Sequence, residues 1–315
     1  MKNNTNDLYI NDKEQIINKY KRYIKLEKNL SKNTQEAYVS DVEKLMSFLD
    51  GESISLRDVS YDTLQAFIAG LHDIGVNARS QARIISGIKS LFKFLIMSDY
   101  LQTDPSELVE TPKIGLKLPE VLTVEEIDNI LSVIDLSKSE GQRNRAIIET
   151  LYSCGLRVSE LINLKISELY FKEKFIKVEG KGGKQRLVPI SNKAIKEIEL
   201  YFIDRNIINI QRGYEDYLFV SHRRGKSLSR IMVFHMIKEY ANMAGIKKNI
   251  SPHTFRHSFA THLLEHGANL RAIQCMMGHE SIVSTEIYTH IDRQMLRSQI
   301  VNHHPRNIKY HKEKG

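Results

Sequence analysis

Only two cysteines, Cys154 and Cys275, occur in this 315-residue chain. Two isolated thiols make no disulfide framework and no zinc-type pair. Both fall in helix-like apolar patterns, which predicts buried free thiols and a reducing, cytoplasmic setting. Long hydrophobic runs are missing too: 41% of the residues are hydrophobic, yet no stretch reaches the ~20 residues of a membrane span. The opening Met1-Lys-Asn-Asn-Thr-Asn6 is polar and lacks the apolar centre of a signal peptide. There is no internal repeat and no low-complexity tract. Proline is limited to six positions, and two of them, Pro112 and Pro119, bracket Thr111–Pro119 together with Gly115. That composition predicts a linker. The length on either side suffices for a domain with its own core.

Excess negative charge is also absent. The net charge is +8 and the pI is 9.2. Residues 1–118 hold 16 of the 46 Lys and Arg and 16 of the 38 Asp and Glu, so the remaining 30 and 22 put the whole excess C-terminal of the linker. A basic second half suits a polyanionic partner.

Residues 12–110 read as helix after helix. Apolar residues recur at helical spacing in Asp12–Asn29, Thr34–Leu49, Tyr61–Asp73 and Arg79–Met97, between Gly, Ser and Asn breaks. In the last of these, Ile84, Ile88, Leu91 and Leu95 form one stripe and Arg79, Arg83, Ser86, Ser90 and Lys93 the opposite one. No acid occurs between Ile74 and Ser98. Such a face is either solvated or set against phosphates in a groove. After the linker, Thr123-Val-Glu-Glu126 opens a second half with a capping-box pattern. That half is mainly helical, with one small antiparallel sheet around residues 169–190. The expected organisation is a helical domain over 1–110, a linker over 111–119 and a mixed domain over 120–315.

The chemistry-bearing residues cluster in the second half. His253 and Arg256 are three apart, which in a helix puts them on one face. Ser251-Pro252 just ahead reads as an N-cap with Pro in the first turn. The pair thus projects where free N–H groups and the helix dipole favour an anion. His279 follows a Met277-Gly278 helix stop, and Tyr288 comes nine positions later. Upstream, one helix ends at Gly155 and another begins near Arg157, with Glu160 one turn on and able to orient it. Two β-type runs, Phe175–Val178 and Arg186–Ile190, flank a Gly-rich turn with Lys181 at its tip. Two bases, an imidazole and a phenol make a kit for attacking a phosphodiester with tyrosine, without a metal. The twelve histidines invite a metal reading. His253-Thr-Phe-Arg-His257, however, lacks the glutamate of a zincin motif and places an arginine beside the dication. No metal and no cofactor is expected. His303-His304 and the Lys309–Lys314 tail read as a solvated end that touches a partner or DNA.

In order and spacing, Arg157, Lys181, His253-x-x-Arg256, His279 and Tyr288 resemble the active-site pattern of the tyrosine site-specific recombinases (the phage integrase family). Phe255–Arg271 and His303-His304-Pro305-Arg306 are similar to the Xer branch, as are Leu30–Tyr38, Ala82–Phe92 and Asp104-Pro-Ser106. The resemblance covers nearly the whole chain, excepting the first ten or so residues and Asn307–Gly315. It implies a mainly α fold: an N-terminal helical SAM-like core-binding domain, and a C-terminal mixed α/β catalytic domain ending in a segment that docks on a neighbouring protomer. The amphipathic stretch Asp292–Val301, with Met295, Leu296, Ile300 and Val301, fits that segment. The two domains are expected to close around a duplex.

The resemblance further implies Tyr288 as the nucleophile, forming a 3′-phosphotyrosyl bond. Arg157 and Arg256 would grip the phosphate, with Glu160 in support, and His279 would donate to a non-bridging oxygen. His253 would either accept the tyrosine proton or bond the phosphate. Lys181 or Lys184 would be the general acid; the resemblance favours Lys181. It also places Arg79, Arg83, Lys93, Lys32, Asn33 and Thr34 on DNA. The expected function is strand exchange through a Holliday junction, resolving chromosome dimers at cell division. The alternatives are a mobile-element integrase and a catalytically inactive DNA-binding protein. The expected partners are double-stranded DNA, a homo- or hetero-tetramer with a second Xer-type recombinase, and a DNA translocase of the FtsK type.

Overall fold

The computed structural model describes residues 5–115, 120–278 and 290–312, with side chains placed for 13–115, 120–180, 182–278 and 293–308. His279 and Tyr288 lie outside the described residues, as do part of the linker, the end of the tail and the side chain of Lys181. The chain forms two compact units, Met1–Lys117 and Leu118–Gly315.

The first unit is all helix: α1 Thr5–Leu26, α2 Lys32–Gly51, α3 Tyr61–Asp73 and α4 Ala78–Met97. Side-chain caps set three of the four starts. Ser31, Ser60 and Asn77 accept from the N–H groups of Thr34, Thr63 and Ser80, each satisfying a donor that the first turn leaves unpaired. Helix α1 begins upstream of the expected Asp12, since no proline or glycine interrupts residues 5–12. The stripe Ile84, Ile88, Leu91 and Leu95 is buried, and Tyr20, Tyr23 and Phe94 pack ring against ring beside it. On the other face of α4, Arg79 and Lys93 stand exposed.

In the second unit, α5 Val124–Ser132 starts on the expected capping box: Thr123 Oγ1 accepts from Glu126 N–H, and Glu126 Oε2 accepts from Thr123 N–H. Helix α6 Gly141–Cys154 runs through the centre, with nearly every side chain buried, as expected of a helix enclosed on all sides. It is followed by α7 Val158–Ile162 and by strands β1 Leu169–Tyr170, β2 Phe175–Glu179 and β3 Gln185–Pro189, paired antiparallel in that order. Ile176 faces Val188 and Val178 faces Arg186 across the β2–β3 ladder. Helices α8 Asn192–Arg205, α9 Arg230–Met243, α10 Pro252–Glu265 and α11 Leu270–Met277 complete the core, and α12 His290–His303 and α13 Pro305–Lys312 close the described chain.

Three expectations are corrected here. Cys154 is buried, but Cys275 is only half-buried, because it lies off the Ala272, Ile273 and Met276 stripe that α11 turns inward. Leu296 and Ile300 of α12 belong to the chain's own core and only Met295 is exposed. The apolar positions assigned to a docking face are therefore largely occupied within the same chain. His304 is not part of a solvated end. It is fully buried, with its ring 4.8 Å from that of Tyr152 and 5.6 Å from that of Phe259. Its Nδ1 accepts from Arg306 N–H and its Nε2 faces Tyr152 O at 3.4 Å, so the neutral ring carries its proton on Nε2. Burial first, then the Arg306 charge, pushes His304 down to about 3. Arg306 is buried as well, donating to Glu149 Oε1 at 2.9 Å and to Asp128. These contacts seat α13 against α6. No described helix is long and apolar enough to cross a membrane.

Candidate active site

The site begins at the corner after α6. Gly155 ends that helix in the left-handed region, φ +59°, and its carbonyl turns toward α10. Two residues later Arg157 is the N-cap of α7. Its N–H donates to Glu160 Oε2 and its Nη1 donates to Glu160 Oε1, both at 2.8 Å. The third donor, Nη2, reaches Gly278 O at 3.2 Å. The guanidinium remains about a third exposed.

Helix α10 starts at the Ser251-Pro252 signal, with Ser251 N–H donating to Thr254 Oγ1. His253 is exposed in the first turn, while Arg256, one turn on, is buried. Arg256 Nη1 donates to Gly155 O at 2.8 Å and Nη2 to Met277 O. Its Nη1 lies 3.9 Å from Glu160 Oε2. Burial first, then the neighbouring Arg157 charge, pushes Arg256 down to about 10, which leaves it cationic at neutral pH.

Glu160 is nearly fully enclosed. Burial works against its charge, but the hydrogen bonds and charge of Arg186, followed by those of Arg157, hold it below the usual carboxylate range. Arg186 escaped the sequence reading. It grips Glu160 with both ends of its fork, Nη1 to Oε1 at 2.7 Å and Nη2 to Oε2 at 2.9 Å. One signal was available: Arg186 alternates in phase with Val188 and Ile190, so it points into the core as they do. Three guanidiniums thus share one carboxylate, and the corner carries positive charge that its own residues leave uncompensated.

Lys181 begins the short 3-10 turn Lys181–Gly183 at the tip of the β2–β3 hairpin. Lys184 follows it, exposed. In the first unit Lys32 and Asn33 are exposed at the start of α2, and Thr34 is half-buried beneath the Ser31 cap. Arg83 differs from Arg79 and Lys93. Its Nη1 donates to the fully buried Asp41 of α2, so its charge is engaged in joining α2 to α4.

Residues 120–295 match the phage integrase family, and residues 17–98 match the phage integrase N-terminal SAM-like domain. The chain is 40% identical over 294 residues to the tyrosine recombinase XerD of Staphylococcus haemolyticus, spanning 93% of this chain and 99% of that protein. To the tyrosine recombinase XerD of Pseudomonas putida it is 39% identical over 291 residues, 92% of this chain and 97% of that one. Among solved structures it is similar to the XerH site-specific recombinase bound to its difH substrate, with TM-score 0.64 and 26% identity over 81% of this chain and 76% of that one. The fold is also that of a lambda integrase tetramer bound to a Holliday junction, with TM-score 0.68 at 20% identity over 88% of this chain and 80% of that one.

Proposed function

The chain belongs to the phage integrase family and is a tyrosine recombinase, and from this premise we propose that it recombines DNA at specific sites through Tyr288, resolving chromosome dimers. The observation that carries the assignment of the site is the corner where Arg157 and Arg256 converge beside the start of α10, with Glu160 as their common partner. Their forked donors suit a phosphate better than lysine does. The uncompensated charge there is of most value when the five-coordinate transition state adds negative charge to the non-bridging oxygens.

The Tyr288 hydroxyl attacks the scissile phosphorus, and its proton passes to His253 or to water while His253 bonds the phosphate. His279 donates to a non-bridging oxygen. Lys181 protonates the departing 5′ oxygen, which leaves a 3′-phosphotyrosyl bond and a free 5′ hydroxyl. Attack by a 5′ hydroxyl of the partner duplex reverses these steps and rejoins the strands. Because the phosphotyrosyl bond keeps the energy of the broken linkage, no nucleotide is consumed. The exposed Arg79 and Lys93, with Lys32 and Asn33, contact duplex phosphates in this reading. Four protomers act on two sites, alone or with a second Xer-type recombinase, under a translocase of the FtsK type. Sequence identity of 40% to a XerD protein over 93% of the chain supports the chromosome-dimer task.

A nicked suicide substrate tests the assignment. Wild-type protein should form a covalent complex that survives denaturant and EDTA, with the adduct mapped to the peptide containing Tyr288. Tyr288→Phe should bind DNA equally and trap none. A covalent complex with the Phe variant, or loss of trapping in EDTA, refutes the mechanism. Binding without any covalent complex in either protein identifies an inactive DNA-binding protein instead.

A further inference from the structure

Arg186 is a charged residue in a place where packing favours a hydrophobic one. It is 5% exposed, on a strand whose inward neighbours Val188 and Ile190 belong to the core. A buried ion pair is a poor way to gain stability, since a well-packed apolar residue does at least as well. Its contacts point to the reaction. Besides both oxygens of Glu160, it donates from Nε to Met276 O at 2.8 Å. The next two carbonyls at the end of α11 go to the other arginines: Met277 O to Arg256 and Gly278 O to Arg157. Three successive carbonyls at a helix C-terminus, where the dipole is negative, are thus held by three different guanidiniums. The backbone at Gly278 approaches Arg186 closely enough that a Cβ there would meet Arg186 Cζ at 3.1 Å.

We propose that Arg186 is a positioning residue for strand cleavage, acting through Glu160 on Arg157 and Arg256. By engaging both Glu160 oxygens, it offsets the charge of that carboxylate, so that Arg157 and Arg256, held in place by their own contacts, keep their positive charge for the phosphate. By holding Met276 O, it fixes the end of α11, from which the chain enters His279. It also ties both features to the hairpin that carries Lys181, five residues before Arg186. Without Arg186, Glu160 pulls harder on Arg157, which it already holds at 2.8 Å, and on Arg256, whose Nη1 lies 3.9 Å from it, and the positive charge set against the phosphate falls. The inference rests on the proposal above that Arg157 and Arg256 bind the scissile phosphate.

The test compares full-length wild type, Arg186→Met, Arg186→Lys and Arg157→Ala on two suicide substrates. One carries the normal scissile phosphate. The other carries a methylphosphonate there, which has no negative charge to offset. Arg186→Met should cleave the phosphodiester about 10²–10³-fold more slowly, the range for losing one oriented donor at a developing anion. Its DNA affinity should be unchanged, and on the methylphosphonate its deficit should largely vanish. Arg186→Lys keeps a cation beside Glu160 and so protects folding. Lacking the planar fork, it should show the same substrate pattern with a smaller loss. Equal loss on both substrates means a merely structural role and overturns the inference, as do wild-type rates for both Arg186 variants. Arg157→Ala serves as the reference: if it lacks the substrate pattern, the phosphate reading of the site falls, whereas a normal Arg157→Ala result beside a null Arg186→Met result removes Arg186 alone.

Discussion

A single methyl group at Gly155 should damage both the core and the site. Gly155 sits at φ +59°, where an alanine costs about 1–2 kcal/mol in backbone strain. Its added Cβ would also lie 2.4 Å from Phe259 Cδ1 and 2.7 Å from Cε1. Phe259 is fully buried in the core of the second unit, so the ring has nowhere to retreat, and overpacking of this kind costs about 1–3 kcal/mol. The two effects together give roughly 2–5 kcal/mol. At about 2–4 °C per kcal/mol for a unit of this size, that is a fall in Tm of roughly 4–20 °C. The consequence for chemistry follows from Gly155 O, which accepts from Arg256 Nη1 at 2.8 Å. Any backbone shift that relieves the clash drags the Arg256 fork with it, so covalent trapping on a suicide substrate should fall by more than the unfolded fraction explains. Calorimetry of Gly155→Ala, Phe259→Leu and the double variant checks the argument. The double variant should be less destabilised than the sum of the singles by about 1–3 kcal/mol, because the shorter side chain removes the collision. An alanine variant within about 0.5 kcal/mol of wild type, the range of an ordinary surface change, refutes the reasoning, as would strict additivity.

Lys181→Ala should slow cleavage of ordinary DNA by about 10²–10⁴-fold, the general-acid range, and should cleave a substrate with a 5′-bridging sulfur nearly as well as wild type, because that leaving group needs no proton. Equal loss on both substrates transfers the acid's role, with the exposed Lys184 next in line. The buried His304 gives stability a pH dependence on the acid side. Its folded value of about 3 lies below the ordinary 6.5, so below pH 6.5 the unfolded chain binds the extra proton. Stability is then complete above pH 6.5 and falls as pH drops toward 3, by up to ~1.4 kcal/mol per pH unit. Glu160, depressed below 4.5, adds its loss only at lower pH. Denaturant midpoints between pH 6.5 and 4.5 should therefore slope less in His304→Phe than in wild type; parallel slopes would exclude His304 as the source.

Much of the fold was legible because its causes are local. Ser and Thr before apolar periods cap the helix starts at Ser31, Ser60 and Thr123, since a side-chain oxygen three residues from an unpaired N–H meets it in almost any context, and Pro252 in the first turn marks the start of α10. The stop at Gly155 and the hairpin around Lys181 follow likewise from backbone preferences of a few residues. The reach of Glu160 back to Arg157 spans one helical turn, and it too was visible as spacing.

What tertiary structure alone decided are the partners that lie far apart in the chain. Arg83 reads as one member of a basic stripe, and only the packing of α2 on α4 shows that the buried Asp41 claims its charge. His304 reads as part of a solvated end, yet enclosure by Tyr152 and Phe259 makes it a neutral core ring, and the nearby Arg306 is a buried cation held by Glu149. Arg186 reads as one more base in a basic half, while the fold sets it under Glu160 and the end of α11. Local sequence determined which elements form and which of their faces are apolar, because hydrogen bonds along a helix or hairpin join near neighbours. It could not determine which buried charges meet: that depends on the distances between elements after packing, and a buried ion is stable only beside the partner those distances supply.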